Sequence, residues 1–410
     1  MAEFYDALET RSPDQREAEQ TKALPDLLRR AKATAGFGRI LKDVDPAAVT
    51  SRAALAALPV TRKSALIQAQ KDEPPFAGLN ATAPGDLARI FLSPGPILDP
   101  EGRRADYWRL ARALFAAGFR RGDIIHNCFS YHLTPAGSML DLGAQALGCA
   151  VVPGGVGNTE SQVQAIGLVR PQGYTGTPSF LKIILDKAKE LGSDVSSLKR
   201  ALVSGEALPP SLRTELDGRG VPTLQCYASA DLGLIAYESP AREGMIADEQ
   251  LILEILRPGT GDPVPAGEVG EVVVTAFNPD YPLVRFATGD LSAVLPGPSP
   301  CGRTNLRIKG WMGRADQTTK VKGMFVHPEQ VAAVLKRHPA IRRARLVVDR
   351  VNDIDSMTLR CEVENGGAAS VEAVAESIQA LCKLHGQVEF VAPGTLPNDG
   401  KVIEDVRKLT

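Results

Sequence analysis

The chain has 410 residues, 44% hydrophobic and 23% charged, with a net charge of −1. It is too long for one core, so two or three domains are expected, in the composition range of globular enzymes. The near-zero charge gives no electrostatic case for nucleic acid or an anionic membrane surface, and no apolar run approaches the roughly 18 residues of a membrane helix.

Residues 1–80 read as helices and loops. The opening MAEFYDALETRSPDQREAEQ is polar and acidic and does not read as a signal peptide. PDLLRRAKATAGFGRIL has helical periodicity, and LPVTRKSALIQAQ reads as a loop and then a helix with Thr61 as its N-cap. RIFLSPGPILDPEG, 89–102, follows a strand pattern and looks like a phosphate-binding loop around Ser93 and Gly95, running into a helical stretch. From about 105 the pattern alternates. Helix YWRLARALFAAGF is followed by strand DIIHNCF, helix GSMLDLGAQALG by strand CAVVPGG, and helix TESQVQAIGLVR by the short strand GYTGT. PSFLKIILDKAKELG is a helix started by Thr177 and Pro178 and stopped by Gly192, and RALVSGEAL is the next strand. Such alternation predicts a largely parallel α/β sheet with ligands beyond the carboxyl ends of its strands. After 245, LILEIL, GEVGEVVVTAF and PLVRFATGDL are short strands with Gly and Pro turns, a β subdomain. From about 317 a small α/β unit follows: PEQVAAVLKRH, RRARLVVDRV, MTLRCEVE, SVEAVAESIQALCKLHG and QVEFV.

The six cysteines, Cys128, Cys149, Cys226, Cys301, Cys361 and Cys382, are dispersed with no CxxC pair. They read as reduced thiols in a cytoplasmic protein rather than as a disulfide framework. His126, Cys128 and His132 lie close together, but metal-ligand spacing is not met and a fourth ligand has no source.

Four stretches carry chemistry-bearing residues beside strands: VSGEALP (203–209), QCYASADLG (225–233), VRFATGD (284–290) and LPNDGKV (396–402). Singly each has an ordinary explanation. A Gly-Asp at a strand end is a common turn, and a lysine near a terminus is a common surface charge. Together, in this order, they resemble the adenylate-forming enzymes, and most closely the phenylacetate–coenzyme A ligase family. The longest similarity is LPGPSPCGRTNLRIKGWMGRADQTTKVKGMFVHPEQV, 295–331. RGDIIHNCFSYHLTPAGSMLDLGAQALGCAVVPGGVGNTESQ, 121–162, is similar as well, and the resemblance spans 50–410.

The resemblance implies an α/β fold: a large N-terminal domain of parallel α/β sheets plus a β subdomain over 1–315, and a small mobile C-terminal α/β domain over 316–410. It implies joining a carboxylic acid to the α-phosphate of ATP, then passing the acyl group to coenzyme A. ATP/AMP, magnesium and coenzyme A are the implied cofactors, a carboxylic acid or acyl thioester the small-molecule partner, and a homodimer a common assembly. Residue by residue, Asp290 would hold ribose hydroxyls, Tyr227 offer a flat face to adenine, and Gly205 and Glu206 line the base region. Asp231 stands where the family has a magnesium-binding glutamate; one methylene shorter, it would hold the ion through water or merely cap a helix. Arg314 would touch ribose or phosphate, and Asp316 would be the domain hinge or a plain linker turn. Lys401 would neutralise charge developing at the α-phosphate. Phe129, Tyr131, His132, Gly154 and Gly155 suggest a flat slot for an aromatic acid, with Tyr131 and His132 as ordinary rim residues the alternative. Cys301 is left of the family's CxCG turn, with Ser299 at the other position.

The loop departs from the family pattern S-S-G-T-T-G-K-P. Here it reads SPGPILDP, 93–100, without the threonines, the second glycine or the lysine, and Asp99 stands at the cation's position on what reads as an exposed loop. Pro94 and Pro96 lack N–H donors, and an anion there would repel phosphate. Ala228 and Ala230 replace a glycine and a hydroxyl residue in YASAD. Three readings follow: an acyl–coenzyme A ligase with a rebuilt loop, an acyl transferase that uses no ATP, and a non-catalytic binder of acyl–coenzyme A or nucleotide. The acceptor is open between coenzyme A, a carrier-protein thiol and an amine.

Overall fold

The computed structural model describes residues 3–407 apart from 94, 257–260, 316–318, 323, 327, 352–353, 364–369 and 398–401. The chain divides into two compact units, Met1–Gly313 and Arg314–Thr410.

The first unit opens with helices α1 (Pro13–Lys32), α2 (Ala35–Ile40) and α3 (Arg52–Ala56). A two-residue strand β1 (Thr61–Arg62) then leads straight into α4 (Lys63–Asp72). Strands β2 (Arg89–Ser93) and β3 (Ile97–Glu101) form an antiparallel hairpin before α5 (Leu110–Ala116). Alternation follows: β4 (Ile124–Asn127), α6 (Ala136–Leu147), β5 (Ala150–Pro153), α7 (Thr159–Val169), β6 (Gly173–Gly176), α8 (Pro178–Leu191), β7 (Arg200–Val203), α9 (Pro210–Gly218) and β8 (Thr223–Ser229). The remainder is strand: β9 (Gly233–Glu238), β10 (Met245–Ala247), β11 (Leu251–Leu256), β12 (Gly270–Ala276), β13 (Phe286–Ser292), β14 (Val294–Leu295) and β15 (Arg307–Ile308).

Helix α8 shows how local chemistry sets these boundaries. The Thr177 hydroxyl accepts from the Phe180 N–H, Pro178 occupies the first turn, and Gly192 closes the helix in the left-handed region. Leu181, Ile184, Leu185 and Ala188 recur at three- and four-residue spacing, and all four are buried. Truncating Leu181 to alanine would cost about 2–5 kcal/mol.

A nine-stranded sheet runs β14-β15-β10-β9-β8-β7-β6-β4-β5. Its half from β5 to β8 is parallel, each ladder aligned in the same sense. The carboxyl ends of β4, β5, β7 and β8 therefore lie along one edge, and the loops leaving them carry FSYHLTP, PGGVGNT, SGEALP and the Asp231 turn. A second sheet has the order β1-β13-β12-β11. In it β1 pairs parallel to β13, Thr61 opposite Phe286 and Arg62 opposite Ala287, which sets the start of α4 beside the strand that carries Asp290.

Two local expectations are corrected here. Thr61 does not cap a helix: its N–H bonds the Arg285 carbonyl, so strand pairing wins and Arg62 precedes the helix without a side-chain cap. Residues 89–101 form a hairpin rather than an open phosphate loop, with Leu92 paired to Leu98 and Ser93 to Ile97. Gln70 clips the hairpin to α4 by donating to the Leu98 carbonyl at 2.9 Å and accepting from the Leu98 N–H at 2.8 Å.

The second unit has a hairpin of β16 (Thr319–Val321) and β17 (Met324–Val326), then α10 (Pro328–Arg337), β18 (Ile341–Val351), β19 (Ile354–Val363), α11 (Val371–Cys382), β20 (Gln387–Val391) and β21 (Ile403–Asp405). Its four-stranded sheet runs β20-β19-β18-β21 around a core that includes Val334, Leu346, Val348, Leu359, Val374 and Ile378.

Candidate active site

Asp290 lies near the end of β13, 9% exposed, and its two carboxylate oxygens are oriented from two sides. The Tyr227 hydroxyl donates to Oδ2 at 2.7 Å and the Trp311 Nε1–H to Oδ1 at 3.1 Å. Tyr227 comes from β8 and is buried against the first unit's core, while Trp311 is 41% exposed. Trp311 has no place in the sequence reading, because an indole in a Gly-rich loop carries no spacing signal.

Asp231 occupies the turn between β8 and β9, so the helix-cap alternative does not apply. Its side chain is fully buried, and Oδ2 accepts an ion pair from the Lys63 ammonium. Oδ1 has no hydrogen-bond partner among the described residues. Lys63 is the first residue of α4, where a cation opposes the helix dipole. Burial alone would lower its pKa; the Asp231 and Asp99 carboxylates outweigh that and raise it, with Asp290 adding to their field.

Asp99 is the third member. The expectation of an exposed anion is wrong: its side chain points into the protein from β3, and Asp99 is fully buried. Neither oxygen has a hydrogen-bond partner among the described residues, and burial together with the Asp231 carboxylate holds its pKa well above the carboxylate range. The reason is strand alternation: Ile97, Asp99 and Glu101 share the inward face of β3. Ser93 is buried too, its hydroxyl donating to the Ile97 carbonyl at 3.1 Å within the hairpin, and Gly95 takes φ +133° at the turn.

Of the residues expected at the acid's slot, Phe129, Tyr131 and Gly155 gather around Asn127, at the end of β4. Its Nδ2 donates to the Tyr131 hydroxyl at 2.8 Å and to the Gly137 carbonyl at 2.9 Å. Its Oδ1 accepts from the Phe129 N–H at 3.2 Å and the Thr175 hydroxyl at 3.0 Å. The Gly155 N–H bonds the Asn127 carbonyl at 3.0 Å, so Phe129, Tyr131 and Gly155 hang from one residue. Phe129 is buried, Tyr131 is 37% exposed and His132 is exposed. Gly205, at φ +79°, faces Phe129: a Cβ there would sit 3.7 Å from Phe129 Cε1. Glu206 is exposed and accepts from the Ser179 hydroxyl at 2.6 Å. His126 and Cys128 share Gln162 as a partner, and among the described residues no three His, Cys, Asp or Glu side chains converge on a metal position. Sequence reasoning missed Asn127, Gln162 and Lys63; a lone polar residue at an element end has no pattern to betray it.

Arg314 is the first residue of the second unit. Asp316 and Lys401 lie outside the described residues.

Two family models match: the AMP-binding enzyme model over 142–278 and the AMP-binding enzyme C-terminal domain over 323–407. A phenylacetate–coenzyme A ligase of Thermus thermophilus is 31% identical, over 98% of this chain and 94% of the relative. One from Escherichia coli is 30% identical over 98% of each. Among solved structures, a 2-hydroxyisobutyryl-CoA ligase determined with 2-HIB-AMP and CoA matches with a TM-score of 0.78 at 23% identity. The match covers 98% of this chain and 92% of that one, a likeness of fold. Identity of 30–31% to such relatives over 83–98% of this chain, on an adenylate-forming fold, shows that this chain belongs to the AMP-binding enzymes, in the phenylacetate–coenzyme A ligase family.

Proposed function

We propose that this enzyme is an AMP-forming acid–thiol ligase that activates a carboxylic acid, of aromatic class, with ATP and passes the acyl group to coenzyme A. In the first half-reaction a carboxylate oxygen bonds to the α-phosphorus and pyrophosphate leaves. In the second the coenzyme A sulfur bonds to the acyl carbon and AMP leaves. The observation that carries the reading is Asp290, aimed by Tyr227 and Trp311 at the end of β13, with the Lys63 ammonium in its field.

Asp290 takes the ribose diol. Lys63 answers the missing loop lysine: the cation absent at 99 is supplied from α4, held between Asp99 and Asp231 until a phosphate competes for it. That observation favours ATP use over transfer without ATP. Phe129 and Gly205 form one wall of the acid's slot, Gly154 and Gly155 another. Arg314 and Lys401 belong to the second unit and act on ribose and α-phosphate, with Asp316 the hinge between units. Magnesium, when bound, offsets phosphate charge. Asp231 is the residue that would hold it, since Oδ1 is an unspent buried acceptor and magnesium commonly takes one or two carboxylates plus substrate phosphates.

Acid-dependent ATP–pyrophosphate exchange tests this, with a panel of aromatic and short aliphatic acids. Lys401→Ala should abolish exchange and leave transfer from preformed acyl adenylate to coenzyme A largely intact. Equal loss of both half-reactions would remove Lys401 from its role. Absence of exchange with every acid, together with transfer from a thioester, would replace the ligase reading by the ATP-independent one.

A further inference from the structure

Gln162, in the first turns of α7, is 3% exposed, and its amide is spent completely. Nε2 donates to the carbonyls of Gly155 at 2.8 Å and Gly157 at 2.9 Å, and lies 3.4 Å from that of Gly154. With the nitrogen facing carbonyls, Oε1 must accept from the other side. It lies 2.6 Å from His126 Nε2 and 3.1 Å from Cys128 Sγ. The network thus assigns the His126 proton to Nε2 and leaves Nδ1 bare, buried and without a partner among the described residues. Space is as tight as the bonding. A Cβ on Gly154 would come within 2.5 Å of Gln162 Oε1 and 2.9 Å of His126 Nε2.

The loop thus held has little to fix it otherwise. Gly155 and Gly157 sit at φ +67° and +74°, and nothing lies within 4 Å of a Cβ built on either. A glycine-rich segment has no strong conformational preference of its own, so its position follows from what it is bonded to. Its bonds run to Gln162 and, through the Gly155 N–H, to Asn127, which also holds Phe129 and Tyr131. Val156, on the same loop, is an exposed apolar side chain.

We infer that Gln162 is a positioning residue that sets the shape of the acid's slot and thereby which acid is accepted. This rests on the acyl-pocket reading above. One amide ties a side chain of α7, the imidazole of β4, the thiol just after β4 and the glycine loop after β5 into one wall. Gln162→Glu keeps the volume but turns a carboxylate oxygen on the loop carbonyls. Gly154→Ala pushes on the same junction from the opposite side and covers the case in which the first variant does not fold.

The experiment has three readouts on wild type and both variants: acid binding by calorimetry, pyrophosphate-exchange kinetics, and hydrogen exchange of residues 154–157. The expectation is an acid Kd and KM raised about tenfold, corresponding to loss of one to two hydrogen bonds. The KM for ATP should stay within about twofold. Preference between aromatic and short aliphatic acids should flatten, and exchange in the loop should quicken about tenfold. A general loss of structure would move both KM values and the melting temperature together. Folded variants with wild-type acid affinity, preference and loop exchange would overturn the role of Gln162. A wild type that binds acid but shows no pyrophosphate exchange sinks the ligase reading and leaves this one standing. A wild type that binds no acid overturns this one.

Discussion

Lys63→Met removes the ammonium of the buried charge cluster and keeps most of its apolar stem. Asp231, with its side chain fully buried, loses its ion-pair partner, and Asp99 is left with no opposite charge in its field among those that shape it. Removing one partner of a buried pair costs about 3–5 kcal/mol. The Lys63 side chain is 24% exposed, so water moderates the loss and the lower end, about 3 kcal/mol, is expected. Spread over the unfolding entropy of a unit as long as Met1–Gly313, that lowers Tm by about 5 °C. Asp99→Asn relieves the excess of negative charge, so the double variant should recover at least half the loss. The assay is thermal denaturation of the four proteins of the cycle, with a coupling above about 1 kcal/mol expected. Additive effects, or a Lys63→Met protein melting within a degree of wild type, would refute the idea that the three groups form one electrostatic unit.

Tyr227→Phe keeps the buried ring and removes the hydroxyl that aims Asp290. A hydrogen bond to a charged group is worth about 1.5–3 kcal/mol, so the KM for ATP in pyrophosphate exchange should rise about tenfold or more, and Tm should fall by about 2–5 °C. An unaltered KM would mean that Asp290 needs no aiming. Asp106, just before α5, accepts from the Ala111 N–H at 3.2 Å, and burial pushes its pKa up to about 7. Because the folded pKa lies above the unfolded one, the folded state holds the extra proton between about pH 4 and 7, and stability falls as pH rises through that window. Asp106→Asn should flatten this decline, so the drop in Tm from pH 5 to 7.5 should shrink by about 2–4 °C, checked by denaturation scans. Parallel scans for the two proteins would exclude Asp106 as the titrating group.

The alternation from 105 to 229 is legible because each helix has an apolar stripe and each parallel strand a short apolar run, so periodicity alone separates them. Element ends are legible where the chemistry is local, as at Thr177, Pro178 and Gly192. The misses share one cause: the deciding partner is far away in sequence. Thr61 reads as a cap until β13, more than 200 residues on, offers it a strand partner. SPGPILDP reads as an open loop because Pro and Gly dominate it, yet Leu92 and Leu98 close it into a hairpin and Gln70 of α4 fastens it. The positions of Asp290, Tyr227 and Asp231 follow from strand ends, which the pattern predicts. Lys63, Asn127, Gln162 and Trp311 do not, because each acts through contacts that only the packed sheets create.

The hairpin changes what the substitution at 99 means. On an open loop an aspartate faces solvent and substrate, and its cost falls on phosphate binding alone. On the inward face of β3 it is a buried group whose field is shared with Asp231 and Lys63, so its cost falls on folding unless the ammonium stays near. The charges at 63 and 99 therefore constrain each other. A chain with lysine at 99 and Lys63 retained would place two cations beside Asp231, with Asp290 the other carboxylate in the field of Lys63, and Asp99→Lys should destabilise the first unit rather than restore a phosphate loop. Coupled replacement, Asp99→Lys with Lys63→Met, keeps one cation in the cluster. If it melts above the single Asp99→Lys variant, the cation has changed places and the site tolerates it. If it melts below, the lysine is required at the start of α4 and the hairpin face accepts no positive charge.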